Sequence, residues 1–233
     1  MSKTELVKRY IIFFLGLLIT SFGVALMTKA TLGTSPIASI PYSLSLILPA
    51  LSLGTWVIIF NVLLVFIQWI IQGKDASKIQ IVLEIIIAFF FGSGVDLCTL
   101  CLHAFSPSLY IIKLISLFLG CFILAFGAYL EVIADVVMLP GDAFVRAIAK
   151  AVKKEFGTVR CISDITMAVI AAILCLVFLH KLNGVREGTI IAAFLVGNLV
   201  KLYSRIFFRA ADRLFPADRH TDNTIPENSG EQI

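Results

Sequence analysis

The stretch YIIFFLGLLITSFGVALMTKATLGTSPIAS, residues 10–39, decides how the chain is read. Its first part is apolar without the alternation a barrel strand needs. It reaches the roughly 20 residues that cross a bilayer as a helix, and backbone amides cannot be left unpaired in lipid. Helix is the reading. The run ends in Gly33, Thr34, Ser35 and Pro36 with no charge beyond Lys29, and the next charged residue is Lys74. A solvated loop would bring acids, amides or lysines, so this turn is expected in apolar surroundings. Ser35 reads as a helix cap and Pro36 as the first helical residue, where no amide donor is missed. Gly33 permits the sharp reversal before them. The following IASIPYSLSLILPALSL is too short and proline-broken to span. It is expected as a re-entrant hairpin or a short helix, resting against protein or water.

The whole chain has the same character. Hydrophobic residues make up 59% of the 233 and charged residues only 15%, with a net charge of +4; a soluble domain carries roughly 45–50% apolar residues. Runs able to span lie near 10–28, 54–72, 80–102, 111–133, 161–179 and 188–206. The predicted fold is therefore all-α: one polytopic transmembrane domain over 1–215, followed by a polar, disordered cytoplasmic tail over 216–233. The first run is longer than the 7–15 residues usual for a secretory core and reads as a span. With six spans and Lys3, Lys8 and Arg9 inside, all of the 19 Lys and Arg fall on the inner side except Lys29, Lys113, Lys181 and Arg186. That asymmetry places both termini in the cytoplasm.

The chain also repeats itself. FGVALMTKATLGTSPIAS (22–39) lies over FGAYLEVIADVVMLPGDA (126–143), 104 positions later, matching Phe22, Gly23, Leu26, Ala30 and Pro36 to Phe126, Gly127, Leu130, Ala134 and Pro140. After small slips Gly54-Thr55 falls on Gly157-Thr158, Asn61 on Asp164 and Gly92 on Gly197. Repeat A runs over about 8–104 and repeat B over about 110–208. Each half has an odd number of spans, so the copies enter the bilayer from opposite sides, a plan common among transporters. A short re-entrant or interfacial helix is expected in each. The glycines Gly16, Gly23, Gly92, Gly120, Gly127 and Gly197 read as points of close helix approach.

TLGTSP, LSLGTW before an apolar span, LPGDA and FGTVR occur in an order that resembles the YczE/YyaS/YitT-type family of bacterial membrane proteins, over roughly residues 8–206. The resemblance implies the fold and a bacterial cell-membrane location. It implies no defined activity, although some members are associated with secondary-metabolite or peptide production. A Pro-x-Asp that often follows the family's turn is present as Pro140-Gly141-Asp142, whereas Pro36-Ile37-Ala38 lacks the acid.

Polar residues in such a chain are the candidate site. A helix starting at Pro36 or Pro140 offers free amides carrying about half a positive charge, a potential anion or carboxylate site; a plain capped helix is the alternative. The substrate-pathway candidates are Thr34, Ser35, Pro36, Asn61, Glu84, Pro140, Asp142, Asp164 and Asn198, with Asn61, Asp164 and Asn198 expected to line any central cavity. Acids within spans are costly. Glu84, Glu131, Asp135 and Asp164 are placed to share an inner vestibule, or else to pair with Arg146 or Arg160. Asp96 has Lys113 as an expected partner, and Asp142 is expected to cap the helix beginning at Pro140. In PGDAFVRAIAKAVKKEFGTVR, Phe144, Val145, Ile148, Val152 and Phe156 tend to one side, with Arg146, Lys150, Lys153 and Lys154 on much of the remainder. That is a basic amphipathic helix at the cytoplasmic interface, attracted to anionic lipid.

Several function classes lack their signatures. The sequence has no P-loop, no H-E-x-x-H and no G-x-S-x-G, so no enzyme, metal site or cofactor is expected. Basic residues without neighbouring stacking aromatics make nucleic acid a poor partner. Cys98 and Cys101 form a C-x-x-C at a helix end, read as packing residues, with an exterior disulfide as the alternative. Two functional readings remain: a permease or channel for a small polar or anionic solute, or a non-transporting accessory or scaffold for a biosynthetic, secretory or regulatory system.

Overall fold

The computed structural model describes residues 3–73, 76–182 and 184–207. The expected tail, the end of the domain, and the basic residues Lys74, Arg209, Arg213 and Arg219 lie outside them. Eight helices follow in order: α1 (Lys3–Ala30), α2 (Pro36–Ile47), α3 (Leu53–Gln72), α4 (Lys78–Cys101), α5 (Tyr110–Ala134), α6 (Pro140–Val152), α7 (Phe156–Leu179) and α8 (Glu187–Ile206). No strand occurs among the described residues. All but α2 and α6 are long and apolar enough to cross a membrane.

The helix starts follow the turn chemistry. Gly33 takes φ +104°, which an L side chain resists, and α2 begins at Pro36 as expected. Ser35 occupies the cap position, but its hydroxyl makes no capping bond. The helix then passes through Pro41 to Ile47 rather than breaking there. A proline ring already has helical φ, and near the start of a helix it removes only one hydrogen bond. At the other turn Leu139 is the cap residue of α6, not Asp142, whose carboxylate is drawn instead to Arg160.

The centre is built on α1 and α5, which cross antiparallel. Arg9 near the start of α1 donates to the carbonyl of Ala134 at the end of α5, 3.1 Å. Lys113 near the start of α5 donates to Thr31 Oγ1 just past α1, 2.9 Å. Four glycines let the backbones touch. A Cβ added at Gly16 would lie 2.9 Å from the carbonyl oxygen of Gly127, one at Gly23 2.7 Å from Leu124, and one at Gly120 2.5 Å from Met27 Cγ. Around this pair α4 packs on α1 and α8 on α5, while α2 packs on α3 and α7, and α6 on the same two helices. α3 and α4 form a further tight seam, where Gly54 and Gly92 face each other with no room for a side chain on either.

α6 does not lie free at an interface. Gly141, Ala143, Val145, Ala147 and Ala149 are buried against α3 and α7, while Val152 and Phe156, expected on the apolar side, are exposed. Small residues on three sides let the helix be wedged between neighbours, leaving Arg146 and Lys150 outward. All five cysteines are free, with Cys121 and Cys175 buried.

Candidate functional site

The two short helices begin at one place. Their first turns meet where Ile37 Cδ1 occupies the position a side chain on Gly141 would need. Helix N-termini carry unpaired amides and partial positive charge, so the meeting point gathers two such ends. Pro36, Ser35 and Pro140 are buried there. Thr34 is 0% exposed and its hydroxyl has no hydrogen-bond partner, an arrangement a folded chain ordinarily avoids.

Below the first turns the space is filled. Ile40, Phe60, Leu64, Met167 and Ala171 form a buried cluster with Ile37 and Phe144 packed against it. Asn61, on the same stretch of α3, is buried, and its amide donates to the Val57 carbonyl of its own helix, 2.8 Å. Its counterpart Asp164 lies on α7 and accepts from Arg160 Nε, 3.4 Å. Arg160 also pairs with Asp142. One guanidinium thus serves both acids, which pulls α6 onto α7. Asn198 does not join this group: it is exposed and bonds the Phe194 carbonyl on α8.

Of the remaining acids, Glu131 lies within electrostatic reach of Asp142, whereas Glu84 and Asp96 are bonded along the α3–α4 pair. Glu131 accepts from Thr20 Oγ1 at 2.7 Å inside the α1–α5 crossing. Asp135 is exposed at the left-handed end of α5. Glu84 is wholly buried between α4 and α3, where Gln68 and Gln80 donate to it. Asp96 has not taken Lys113 as partner. It accepts from the Gly54 amide, 2.7 Å, and from Ser52 Oγ, 2.5 Å, because the α3–α4 seam brings the start of α3 directly onto it. Tyr42 on α2 is buried, and desolvation raises its hydroxyl to about 12, so it stays a neutral donor to the Thr28 carbonyl, 3.3 Å.

An open depression lined by Met138, Arg146, Ala149, Lys150, Lys154 and Phe156 marks the basic side of α6. Lys153 ends that helix in a left-handed conformation. Sequence reasoning passed over Gln68, Thr20 and Ser52. Their signal was present, since an uncharged polar residue inside an apolar run also needs a partner.

Six long apolar helices enclosing buried acids and amides define a multi-pass membrane protein. The chain belongs to a family of unknown function, DUF6198, whose model matches residues 7–205. It is 34% identical over 89 residues to "Uncharacterized protein YyaS" of Bacillus subtilis (strain 168), a match covering 38% of this chain and 42% of that protein. The chain thus spans less than half the length of this curated relative. No solved structure matches the chain.

Proposed function

We propose that the chain is a non-enzymatic permease of the bacterial cell membrane, of the YczE/YyaS/YitT type, with both termini cytoplasmic. Its two inverted repeats move a small polar or anionic solute by alternating access. The match to YyaS and the order of the turn motifs support the family reading.

One observation carries the mechanism: the helix contacts pair off under the repeat, with a single exception. Shifting by 104 maps the Gly16–Gly127 approach onto Gly120–Gly23, and the Ile37–Gly141 contact onto itself. Thr31 and Asp135, also 104 apart, both take positive φ. The packing of α1 on α4 corresponds to α5 on α8, α2 on α7 to α6 on α3, and α2 on α3 to α6 on α7. These correspondences support the reading of two inverted repeats about a two-fold axis in the membrane plane. The exception is the α3–α4 seam. Its counterpart, α7 with α8, is not packed. The nearest atom to a Cβ at Gly157 is 4.0 Å away, and Gly197 has nothing within 4 Å. On this reading the two halves stand in different conformations, which supports a two-state carrier.

The parts of the open seam match those of the closed one. Ser52 caps α3 and bonds Asp96 of α4; by the repeat these become Glu155, the cap residue of α7, and Lys201 of α8. Both are exposed and oppositely charged. Closing α7 on α8 would bring them together as a latch, while α3 separates from α4. Solute recognition falls to the paired starts of α2 and α6, with Thr34, Ser35 and the Asp142–Arg160–Asp164 group nearby.

The test is uptake into proteoliposomes across small carboxylates, inorganic phosphate and neutral polar solutes. Glu155→Lys and Lys201→Glu should each lower flux about tenfold, the combined exchange should restore most of it, and Asp164→Ala should abolish it in folded protein. A second reading, an accessory protein without flux, draws on the filled centre between α2 and α6. Absence of any uptake, with cysteines at 155 and 201 never cross-linking in a Cys98, Cys101 and Cys161-free background, decides for it.

A further inference from the structure

Glu84 and Gln68 carry an imbalance that nothing in the permease reading uses. Both side chains are 0% exposed. Gln68 Nε2 donates to Glu84 Oε1 at 3.2 Å, and Gln80 Nε2 donates to the same oxygen at 2.9 Å. Glu84 Oε2 accepts nothing, and Gln68 Oε1 accepts nothing. An ionised carboxylate has two equivalent oxygens and would spread its donors over both. Here one oxygen is loaded like a carbonyl and the other is bare like a hydroxyl. A bare hydroxyl oxygen with a proton is a donor, and the empty acceptor it needs sits on the amide already bonded to the same carboxyl.

Among the described residues, the charges nearby do not supply a counter-ion. α3 has no titratable side chain. α4 itself brings Lys78, Asp96, Cys98 and Cys101, the acid bonded at the far end of the helix. From α1 come Glu5, Lys8 and Arg9, and Arg9 is directed to Glu5 and the Ala134 carbonyl. From α6 come Asp142, bonded to Arg160, and the exposed Arg146 and Lys150. Glu84's hydrogen-bond partners among the described residues are the two glutamines. Burying a carboxylate in that company is expensive, whereas the neutral acid costs far less.

We propose that Glu84 is a proton-binding site: Oε2 takes a proton from water and donates it to Gln68 Oε1, closing an acid–amide ring across the α3–α4 seam. The proton on Oε2 satisfies both empty acceptors at once. The site is a place to hold and release a proton within the bilayer, and it stands whether or not the chain moves a solute. That such a proton is exchanged for solute is a further step resting on the permease reading, tested separately by acidification of proteoliposome interiors during uptake.

The experiment is infrared spectroscopy of the full chain reconstituted in lipid at neutral pH, in water and in deuterium oxide. The wild type should show a protonated-carboxyl carbonyl band that shifts on deuteration. Glu84→Gln should remove that band and leave thermal stability unchanged, since glutamine keeps the shape and hydrogen bonds of the neutral acid. Glu131→Gln should leave it in place, and Gln68→Met should shift its frequency. A band untouched by Glu84→Gln means an ionised Glu84, bridged to Gln68 by trapped water, and overturns the proposal. So does failure of Glu84→Gln to fold, because the charge would then be required. Stabilisation of the wild type by sodium alone, lost in Glu84→Gln, would replace the proton with a metal cation.

Discussion

At the scale of single residues, the same amino acid has opposite weight at different positions. A Cβ added at Gly23 would lie 2.7–2.8 Å from the backbone of Leu124, so Gly23→Leu must push α1 from α5. We expect a loss of at least about 1–3 kcal/mol, measured by denaturant titration in mixed micelles. Gly197→Leu meets open space and should leave stability within about 0.5 kcal/mol, as exposed substitutions usually do, in the conformation described above. If that conformation is one of two, it should nonetheless reduce flux by keeping the α7–α8 seam from closing. Thr20→Val removes the hydroxyl that donates to Glu131. The expected cost is about 1 kcal/mol, within the range of intramembrane hydrogen bonds, by the same titration. What the sequence could not disclose at this scale was choice of partner. Asp96 and Lys113 looked complementary, yet each found its bond on another helix. α1 and α3 are apolar nearly all round, so no stripe of residues revealed which way each was rotated.

At the scale of elements, the spans and both short helices were legible, because run length and a proline start are local signals. The packing of α6 was not. Its alternation of alanine with lysine and arginine resembles a surface-lying amphipath. Only the presence of α3 and α7 on either side shows that its small residues are there to be enclosed. The basic edge remains available to headgroups: neutralising Arg146, Lys150, Lys153 and Lys154 together should weaken the preference for anionic lipid by about 1 kcal/mol per residue. Tm in vesicles of varied phosphatidylglycerol content would reveal it, with the wild type gaining stability from the anionic lipid and the quadruple variant losing most of that gain.

For the molecule as a whole, the positive-inside count and the antiparallel α1–α5 crossing make one joint prediction. Cysteines placed at Lys153 and at His180, the two ends of α7, should react with membrane-impermeant reagents from opposite sides of intact cells, His180 from outside. Labelling of both from outside would break the topology on which the two-fold reading stands. The repeat is a reading of landmarks such as Pro36 and Pro140. That α3 packs closely on α4 while α7 does not pack so on α8 was not legible, since Gly157 and Gly197 are as well placed in the sequence as Gly54 and Gly92.

The contact of Ile37 with Gly141 has a consequence for how such a molecule can be encoded. On the two-fold reading, that spot is occupied by one position and its own image. Two isoleucines there would collide, and two glycines would leave a hole. An antiparallel pair of identical half-length chains must put the same residue on both sides and has no good choice. A single fused gene escapes the dilemma by spelling the position differently each time, large in one copy and absent in the other.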